Sequence, residues 1–161
     1  MAVRISGFGW LLEGEDYTTQ EGESSRPICM SYLLDTNIVS FYLRGNPNVV
    51  TRLKSEKPSN IAISAISAFE LRYGVAKRKS PKLKTSVDGF LSLIFIVPFD
   101  DDAALRAGTL KSEQEDNGFT LDLPDLLIAA HALCLNRILV TNNSKHFANV
   151  KNLRIEDWST Q

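Results

Sequence analysis

The amino-acid sequence predicts an α/β domain with a mostly parallel central sheet of about four to five strands, flanked by helices on both faces. Two observations predict this class. Short apolar runs rich in β-branched residues recur along the chain, as in parallel strands that are buried on both faces. Segments with helical spacing of apolar residues separate these runs, and strands that alternate with helices are typical of βαβ units.

The predicted elements follow one another in a regular order. The strands are expected at residues 32–34, 61–63, 94–97 and 138–140. The helices are expected at residues 36–43, 49–57, 66–75, 83–91, 103–110 and 126–135, where apolar residues recur three or four positions apart. No internal repeat or low-complexity stretch interrupts this order.

The overall composition is that of an ordinary globular protein. Of its 161 residues, 43% are hydrophobic, and 18 basic against 19 acidic residues give a net charge of −1. This excludes a disordered chain and a polyelectrolyte. No apolar run approaches the roughly 20 residues of a membrane helix. Two cysteines cannot form a disulfide framework, so we expect a cytoplasmic protein in which Cys134 is a reduced, buried thiol.

Residues 1–29 differ from the rest of the chain. They are rich in glycine, carry two basic and five acidic residues for a net charge of −3, and lack the pattern of a secretory signal. Met30 stands directly before the first predicted strand. We therefore interpret residues 1–29 as a flexible N-terminal extension or a start-site artefact. Residues 30–161, with a net charge of +2, are the predicted functional domain.

Carboxylates occur where ligands of a parallel α/β sheet collect, beyond the carboxyl ends of the strands. Asp35 follows the first predicted strand, Glu70 lies one to two turns into the helix after the second, and Asp125 opens the helix after residues 120–124. Each has a structural alternative: Asp35 caps the helix at residues 36–43, and Asp122 and Asp125 form a capping arrangement around the helix that follows Pro124. Glu70 is harder to explain structurally, because acids are seldom buried in apolar helix stretches without a partner.

Three carboxylates that converge at one edge of a sheet would need a cation, because they repel one another and raise one another's pKa values. Oxygen ligands suit Mg²⁺ or Mn²⁺ rather than zinc. Such a site is suited to attack on a phosphodiester, since the metal activates water and neutralises the charge that develops on the phosphate.

Four blocks of the sequence, in order, match a known family. They are Leu33-Leu34-Asp35-Thr36-Asn37, Ile63-Ser64 through Glu70-Leu71-Arg72-Tyr73-Gly74, Asp125 through Ala130, and Leu139-Val140-Thr141-Asn142-Asn143 followed by Phe147. With the ending at residues 153–158, the match spans about residues 30–158. These blocks resemble PIN-domain ribonucleases. More narrowly they resemble the VapC toxins of bacterial type II toxin–antitoxin systems, and most of all the subgroup that cuts initiator tRNA in the anticodon stem-loop.

The resemblance implies a PIN fold and metal-dependent endonucleolytic cleavage of RNA. By position, Asp35, Glu70 and Asp125 match the catalytic carboxylates that bind Mg²⁺ or Mn²⁺. The supporting residues predicted beside them are Thr36, Asn37 and Asp122.

The fourth acidic position of the family is where this chain departs from the pattern. Many relatives have an acid at the position of Asn143 or just before the Phe, where this chain has His146. We therefore predict a weaker Mg²⁺ site and a relative preference for Mn²⁺, with Thr141, Asn143 and His146 as candidate accessory ligands. Alternatively, His146 lies on a surface turn while Thr141 and Asn143 hold site water and backbone.

A basic stretch after Glu70 is the predicted RNA-binding surface. Its members are Arg72, Lys77, Arg78, Lys79, Lys82 and Lys84. These charges could contact phosphates, and Arg72 is the candidate closest to the site in sequence. Such clusters are also common at the solvated end of a helix hairpin.

The resemblance also implies partners. Members of the family dimerise and are held inactive by a small VapB-type antitoxin that inserts a helix and an extended tail, so we expect a homodimer and a hetero-oligomer with antitoxin. Val39, Phe41, Tyr42 and Leu53 are candidates for an apolar groove that receives this helix, although packing against the sheet accounts equally well for about half of them.

Three functions remain open at this point. The leading hypothesis is an RNA endonuclease toxin that cleaves tRNA and inhibits translation. The second is a degenerate PIN domain that binds RNA or antitoxin without cleaving. A DNA-directed nuclease of the flap-endonuclease type is less well supported, because the chain has no added helical arch or DNA-binding module.

Overall fold

A computed structural model of the chain describes residues 32–160, so the N-terminal extension predicted at residues 1–29 lies outside the described residues. The strands are β1 (Tyr32–Leu34), β2 (Ile61–Ser64), β3 (Phe95–Val97), β4 (Ile138–Val140) and β5 (Ile155–Glu156). The helices are α1 (Thr36–Leu43), α2 (Pro47–Ser55), α3 (Ala65–Arg78), α4 (Pro81–Leu91), α5 (Asp101–Asp116) and α6 (Leu123–Cys134). A 3-10 turn, Pro58–Asn60, leads into β2.

The strands form one parallel sheet in the order β3-β2-β1-β4-β5. The chain builds one half of the sheet from β1 to β3 and then crosses back to place β4 on the other side of β1. The order therefore reverses between β1 and β4, and ligands of open α/β sheets bind at such a point, beyond the carboxyl ends of the strands.

Both faces of the sheet are covered, as the sequence predicts. Side chains alternate along β1, so that Tyr32 and Leu34 pack with α1 to α4, while Leu33 packs with α5 and α6. The predicted α/β class and its six helices are confirmed. This arrangement fixes the carboxyl end of β1 between two hydrophobic layers.

Most elements differ from their predicted ranges by one to three residues at a boundary, and two differences are larger. Strand β5 is a two-residue edge strand that pairs only with β4, and so short a segment gives no periodic signal. Helix α5 continues six residues beyond residue 110 to Asp116. Its buried face continues with Gln114, a polar residue that an apolar pattern does not count.

The predicted burial of Cys134 is wrong, and for three of the four groove candidates the alternative of packing in the core holds. Cys134 lies at the end of α6 and is exposed, because the helix turns its last residue away from the core. Val39, Tyr42 and Leu53 belong to the hydrophobic core rather than to an open groove, and Phe41 is half-buried against that core. The apolar faces of helices α1 and α2 therefore pack against the sheet. Within residues 32–160, no helix is both long and apolar enough to cross a membrane.

Candidate active site

Asp35 is a buried carboxylate at the carboxyl end of the central strand, with only 2% of its surface exposed. It is the N-cap of α1, where its Oδ1 accepts a hydrogen bond of 2.7 Å from the backbone N–H of Thr36. Its Oδ2 accepts a hydrogen bond of 2.8 Å from the hydroxyl of Thr141, which follows β4. The capping role considered from the sequence and a place in the site therefore coexist in one residue.

The pKa of Asp35 is raised from 3.8 to about 6. Burial is the largest cause, since it penalises the charged form. The hydrogen bonds from Thr141 and Thr36 act in the opposite direction, while the negative charges of Asp125 and Glu70 raise the pKa further. The charges of Asp125 and Glu70 thus act on Asp35 at this edge of the sheet.

Glu70 lies on α3 and is half-buried. The hydroxyl of Thr36 donates a hydrogen bond of 2.6 Å to its Oε2, which joins α1 to α3. Ser64 caps α3 by accepting a hydrogen bond from the backbone N–H of Ile66, and the hydroxyl of Ser67 donates to the carbonyl of Leu34. These bonds fix the start of α3 against β1, so that Glu70 lies beside the first turn of α1.

Asp125 lies in the first turn of α6 and is partly buried. Its Oδ2 is 3.1 Å from Nε2 of His146, on the turn after β4. Burial raises the pKa of Asp125, the charge of His146 lowers it, and the charge of Asp122 raises it. Asp122 occupies the N-cap position of α6, but its side chain makes no capping hydrogen bond, so the simple capping interpretation of Asp122 fails.

The donor set suits a hard divalent cation, because Asp35, Glu70 and Asp125 offer oxygen atoms only. Each hydrogen-bonded carboxylate also keeps lone pairs for a further partner. Within residues 32–160, however, no group of three or more His, Cys, Asp and Glu side chains is close enough to hold a metal ion. The residues therefore fit the metal in chemistry and charge, and binding it as a three-carboxylate site requires their side chains to draw together.

The candidate accessory ligands Thr141 and His146 contact different carboxylates. The hydroxyl of Thr141 accepts a hydrogen bond of 3.1 Å from the backbone N–H of Asn143 and donates one to Asp35. His146 faces Asp125. Thr141 is therefore a link between the backbone after β4 and the buried carboxylate.

The predicted basic stretch is split between two sides of the α3–α4 hairpin. Arg78 and Lys82 line a cleft of about 330 Å³ that also contains Thr36 and Glu70. Arg72 lines a different cleft with Lys79 and Lys84. The ammonium group of Lys77 lies 5.8 Å from the centre of the Tyr73 ring. On a helix, positions i and i+2 point in nearly opposite directions, so sequence proximity to Glu70 did not bring Arg72 to the same side.

Sequence reasoning missed Arg44, the C-cap of α1, which lines the Glu70 cleft together with Ser40. The spacing of polar residues along the sequence could have indicated Arg44. Thr36, Ser40 and Arg44 recur four residues apart after Asp35 and therefore share one face of a helix.

Comparison with known proteins agrees with this fold. The PIN domain family model matches residues 32–153. Ribonuclease VapC2 of Rickettsia felis is 39% identical over 132 residues, which cover 80% of this chain and 98% of that protein. The tRNA(fMet)-specific endonuclease VapC of Shigella flexneri is 34% identical over 131 residues, covering 81% of this chain and 99% of that protein.

Solved structures give the same result. VapBC2 from Rickettsia felis, bound to a DNA fragment from their promoter, matches with a TM-score of 0.73 and 38% identity, covering 80% of this chain and 99% of that chain. DNA-bound VapBC from Salmonella typhimurium matches with a TM-score of 0.73 and 32% identity, covering 80% of this chain and 98% of that chain. The chain therefore belongs to the PIN-domain family, among the VapC ribonucleases.

Proposed function

We propose that this protein is a metal-dependent RNA endonuclease, the toxin of a type II toxin–antitoxin pair, that cleaves tRNA and thereby inhibits translation. The observation that carries the proposal is the buried carboxylate of Asp35, whose pKa is raised by burial and by Asp125 and Glu70. Uncompensated negative charge at the switch point of a parallel sheet favours a bound cation. Initiator tRNA, cut in the anticodon stem-loop, is the proposed substrate because a relative at 34% identity is named for tRNA(fMet).

Asp35, Glu70 and Asp125 are the residues proposed to hold Mg²⁺ or Mn²⁺. When bound, the cation would supply an activated water and neutralise charge on the phosphate. Thr141 and Thr36 hold Asp35 in one orientation, and Thr36 holds Glu70. Arg78 and Lys82, which share a cleft with Glu70, are placed to attract the phosphates that these carboxylates repel.

A VapB-type antitoxin is the proposed protein partner, within a complex that also contains a homodimer of this chain in the cytoplasm. The support is that similar solved structures are VapBC complexes. Because Val39, Tyr42 and Leu53 lie in the core, the proposed groove is the Glu70 cleft between α1, α3 and α4. Leu43 and Leu83, which are half-buried there, are its apolar contacts.

The test is cleavage of purified total tRNA by the full chain with Mg²⁺, with Mn²⁺ and with EDTA, followed by mapping of the cut. We expect a metal-dependent cut in initiator tRNA that Asp35→Asn abolishes while the circular dichroism spectrum stays unchanged. Cutting that persists in EDTA or in Asp35→Asn would contradict the proposed site. Cutting of ribosomal RNA or mRNA instead of tRNA would contradict the substrate alone.

A degenerate PIN domain that binds RNA or antitoxin without cleaving is the second candidate. Two observations favour it: Asp125 is paired with His146, and within residues 32–160 no preformed three-ligand metal group exists. A folded wild-type protein that binds tRNA and cuts no RNA with either metal would establish this function and exclude the first.

A further inference from the structure

A second cleft opens on the other side of α1 from Glu70. It measures about 260 Å³ and lies between α1 and the turn after β4. Its lining residues are Asn37, Ser40, Phe41, Arg44, Asn142 and Asn143. Ser40 and Arg44 also line the Glu70 cleft, so the two clefts meet along α1.

Amide side chains give this cleft its hydrogen-bonding character. Asn37, Asn142 and Asn143 are exposed, and within residues 32–160 none of their side-chain amides makes a hydrogen bond. Each amide offers both a donor and an acceptor. Unpaired RNA bases are recognised by such groups along their Watson–Crick and Hoogsteen edges.

Charge in the cleft favours an anion. Arg44 is the one charged residue of its lining, and within the described part of the chain its guanidinium forms no ion pair. A guanidinium binds a phosphate through two parallel hydrogen bonds. Phe41, half-buried beside it, adds an apolar wall against which a base or ribose can pack.

The cleft is connected directly to the buried carboxylate. The backbone N–H of Asn143 donates to the hydroxyl of Thr141, which donates to Asp35. Asn37 lies two residues after Asp35 on the first turn of α1. A nucleotide held here would therefore lie next to the phosphate at the carboxylates.

We propose that this cleft is a subsite for one unpaired nucleotide adjoining the phosphate that is cut. Asn142 and Asn143 contact the base edge, and Arg44 binds the phosphate of that nucleotide. The proposal rests on the proposed RNA endonuclease activity and names residues that would select the site at which the RNA is cut. It gives the amide of Asn143 a role in recognising RNA rather than in binding metal.

The experiment measures base preference around the cut by sequencing the products of an initiator tRNA library randomised in the anticodon stem-loop. The variants are Asn142→Ala, Asn143→Ala and Arg44→Ala in the full chain. Asn149→Ala and Lys111→Ala are matched controls, because both residues are exposed and neither lines the two clefts along α1. Asn37→Ala is a second amide variant should either of the first two fail to fold.

We expect the amide variants to reduce the preference at one position beside the cut about tenfold, the scale of one base-edge contact. Arg44→Ala should lower kcat/KM about tenfold for all sequences and reduce its salt dependence by the equivalent of about one phosphate contact. The controls should change neither quantity, and the metal concentration for half-maximal activity should stay the same in Asn143→Ala.

Two outcomes would overturn the subsite while leaving the proposed function intact. One is a wild-type enzyme that cuts RNA with a base preference that survives the amide substitutions. The other is an Asn143→Ala variant that needs more metal but keeps its preference, which would make Asn143 a metal ligand. A wild-type protein that cuts no RNA would instead overturn the proposed function and the subsite with it.

Discussion

The hydroxyl of Thr141 donates a hydrogen bond of 2.8 Å to Oδ2 of Asp35 and thereby joins residues 106 positions apart. The backbone N–H of Asp35 also donates to the carbonyl of Val140, at 2.9 Å. Together these bonds close the carboxyl ends of β1 and β4 where the strand order reverses. Asp35 is therefore held in one orientation before a ligand arrives, and its burial makes its negative charge unfavourable.

Asp35→Asn is expected to stabilise the protein in EDTA above neutral pH. The raised pKa of Asp35, about 6 against 3.8, means that the folded state holds the proton more tightly than the unfolded chain does. Stability from this group is fully present below pH 3.8 and is lost as pH rises through about 6. The variant should gain about 3 kcal/mol in the free energy of unfolding at pH 8 and only about 0.5 kcal/mol at pH 4. Urea denaturation at both pH values measures the difference.

The control for this prediction is to repeat the denaturation with a divalent cation in place of EDTA. Mg²⁺ or Mn²⁺ should stabilise the wild type more than Asp35→Asn, because a bound cation removes the cost of the charge. A variant equally or less stable than the wild type at pH 8 would show that burial of Asp35 carries no such cost.

Thr36→Val should lower kcat about tenfold with little change in KM. The hydroxyl of Thr36 donates a hydrogen bond of 2.6 Å to Oε2 of Glu70, and hydrogen bonds to charged groups contribute about 1.5–3 kcal/mol. Without that donor, Glu70 loses its fixed orientation. Steady-state cleavage of tRNA measures the effect, and Thr36→Ser, which keeps the hydroxyl, is the matched control. Equal activity of Thr36→Val and wild type would exclude this positioning role.

His146→Glu should reduce the Mg²⁺ concentration needed for half-maximal cleavage by about tenfold. The Nε2 atom of His146 lies 3.1 Å from Asp125, so a carboxylate there adds an oxygen ligand at the fourth acidic position. The wild type should need less Mn²⁺ than Mg²⁺, and His146→Glu should narrow that difference. His146→Gln, which adds no charge, is the control. Equal wild-type activity at low concentrations of either metal would contradict the prediction.

His131 should make the protein less stable as pH falls below about 6.5. It is buried in α6, its Nδ1 lies 2.8 Å from the hydroxyl of Ser64, and its ring packs against Phe99. Burial lowers its pKa, so the unfolded chain takes up a proton that the folded state resists. The stability it contributes is present above pH 6.5 and is lost as pH falls towards the lower folded pKa.

Because Asp35 acts in the opposite direction over part of this range, the His131 measurement belongs in the Asp35→Asn background. There the free energy of unfolding should decrease from pH 7 to pH 5, and His131→Gln should flatten that decrease. A slope that His131→Gln leaves unchanged would assign the pH dependence to other groups.

Local sequence was sufficient for most elements of the fold and for selecting the carboxylates proposed for the site. Strand β1 is a buried apolar run that ends directly at Asp35, and the helix after it begins at Thr36 as predicted. Burial of apolar side chains repeats at the period of each element, so a strand or helix can be recognised from its own residues. The four blocks around Asp35, Glu70, Asp125 and Thr141 likewise indicated the PIN-domain family, which the comparisons confirm.

The tertiary structure alone decided which side chains meet. The bonds from Thr141 to Asp35 and from Thr36 to Glu70, and the pairing of His146 with Asp125, depend on the strand order and on how each helix packs. The same packing separated Arg72 from the Glu70 cleft and brought Arg44 into it. Sequence periodicity specifies the buried face of an element, whereas the partner it meets is fixed only when distant segments pack into one sheet and its two helical layers.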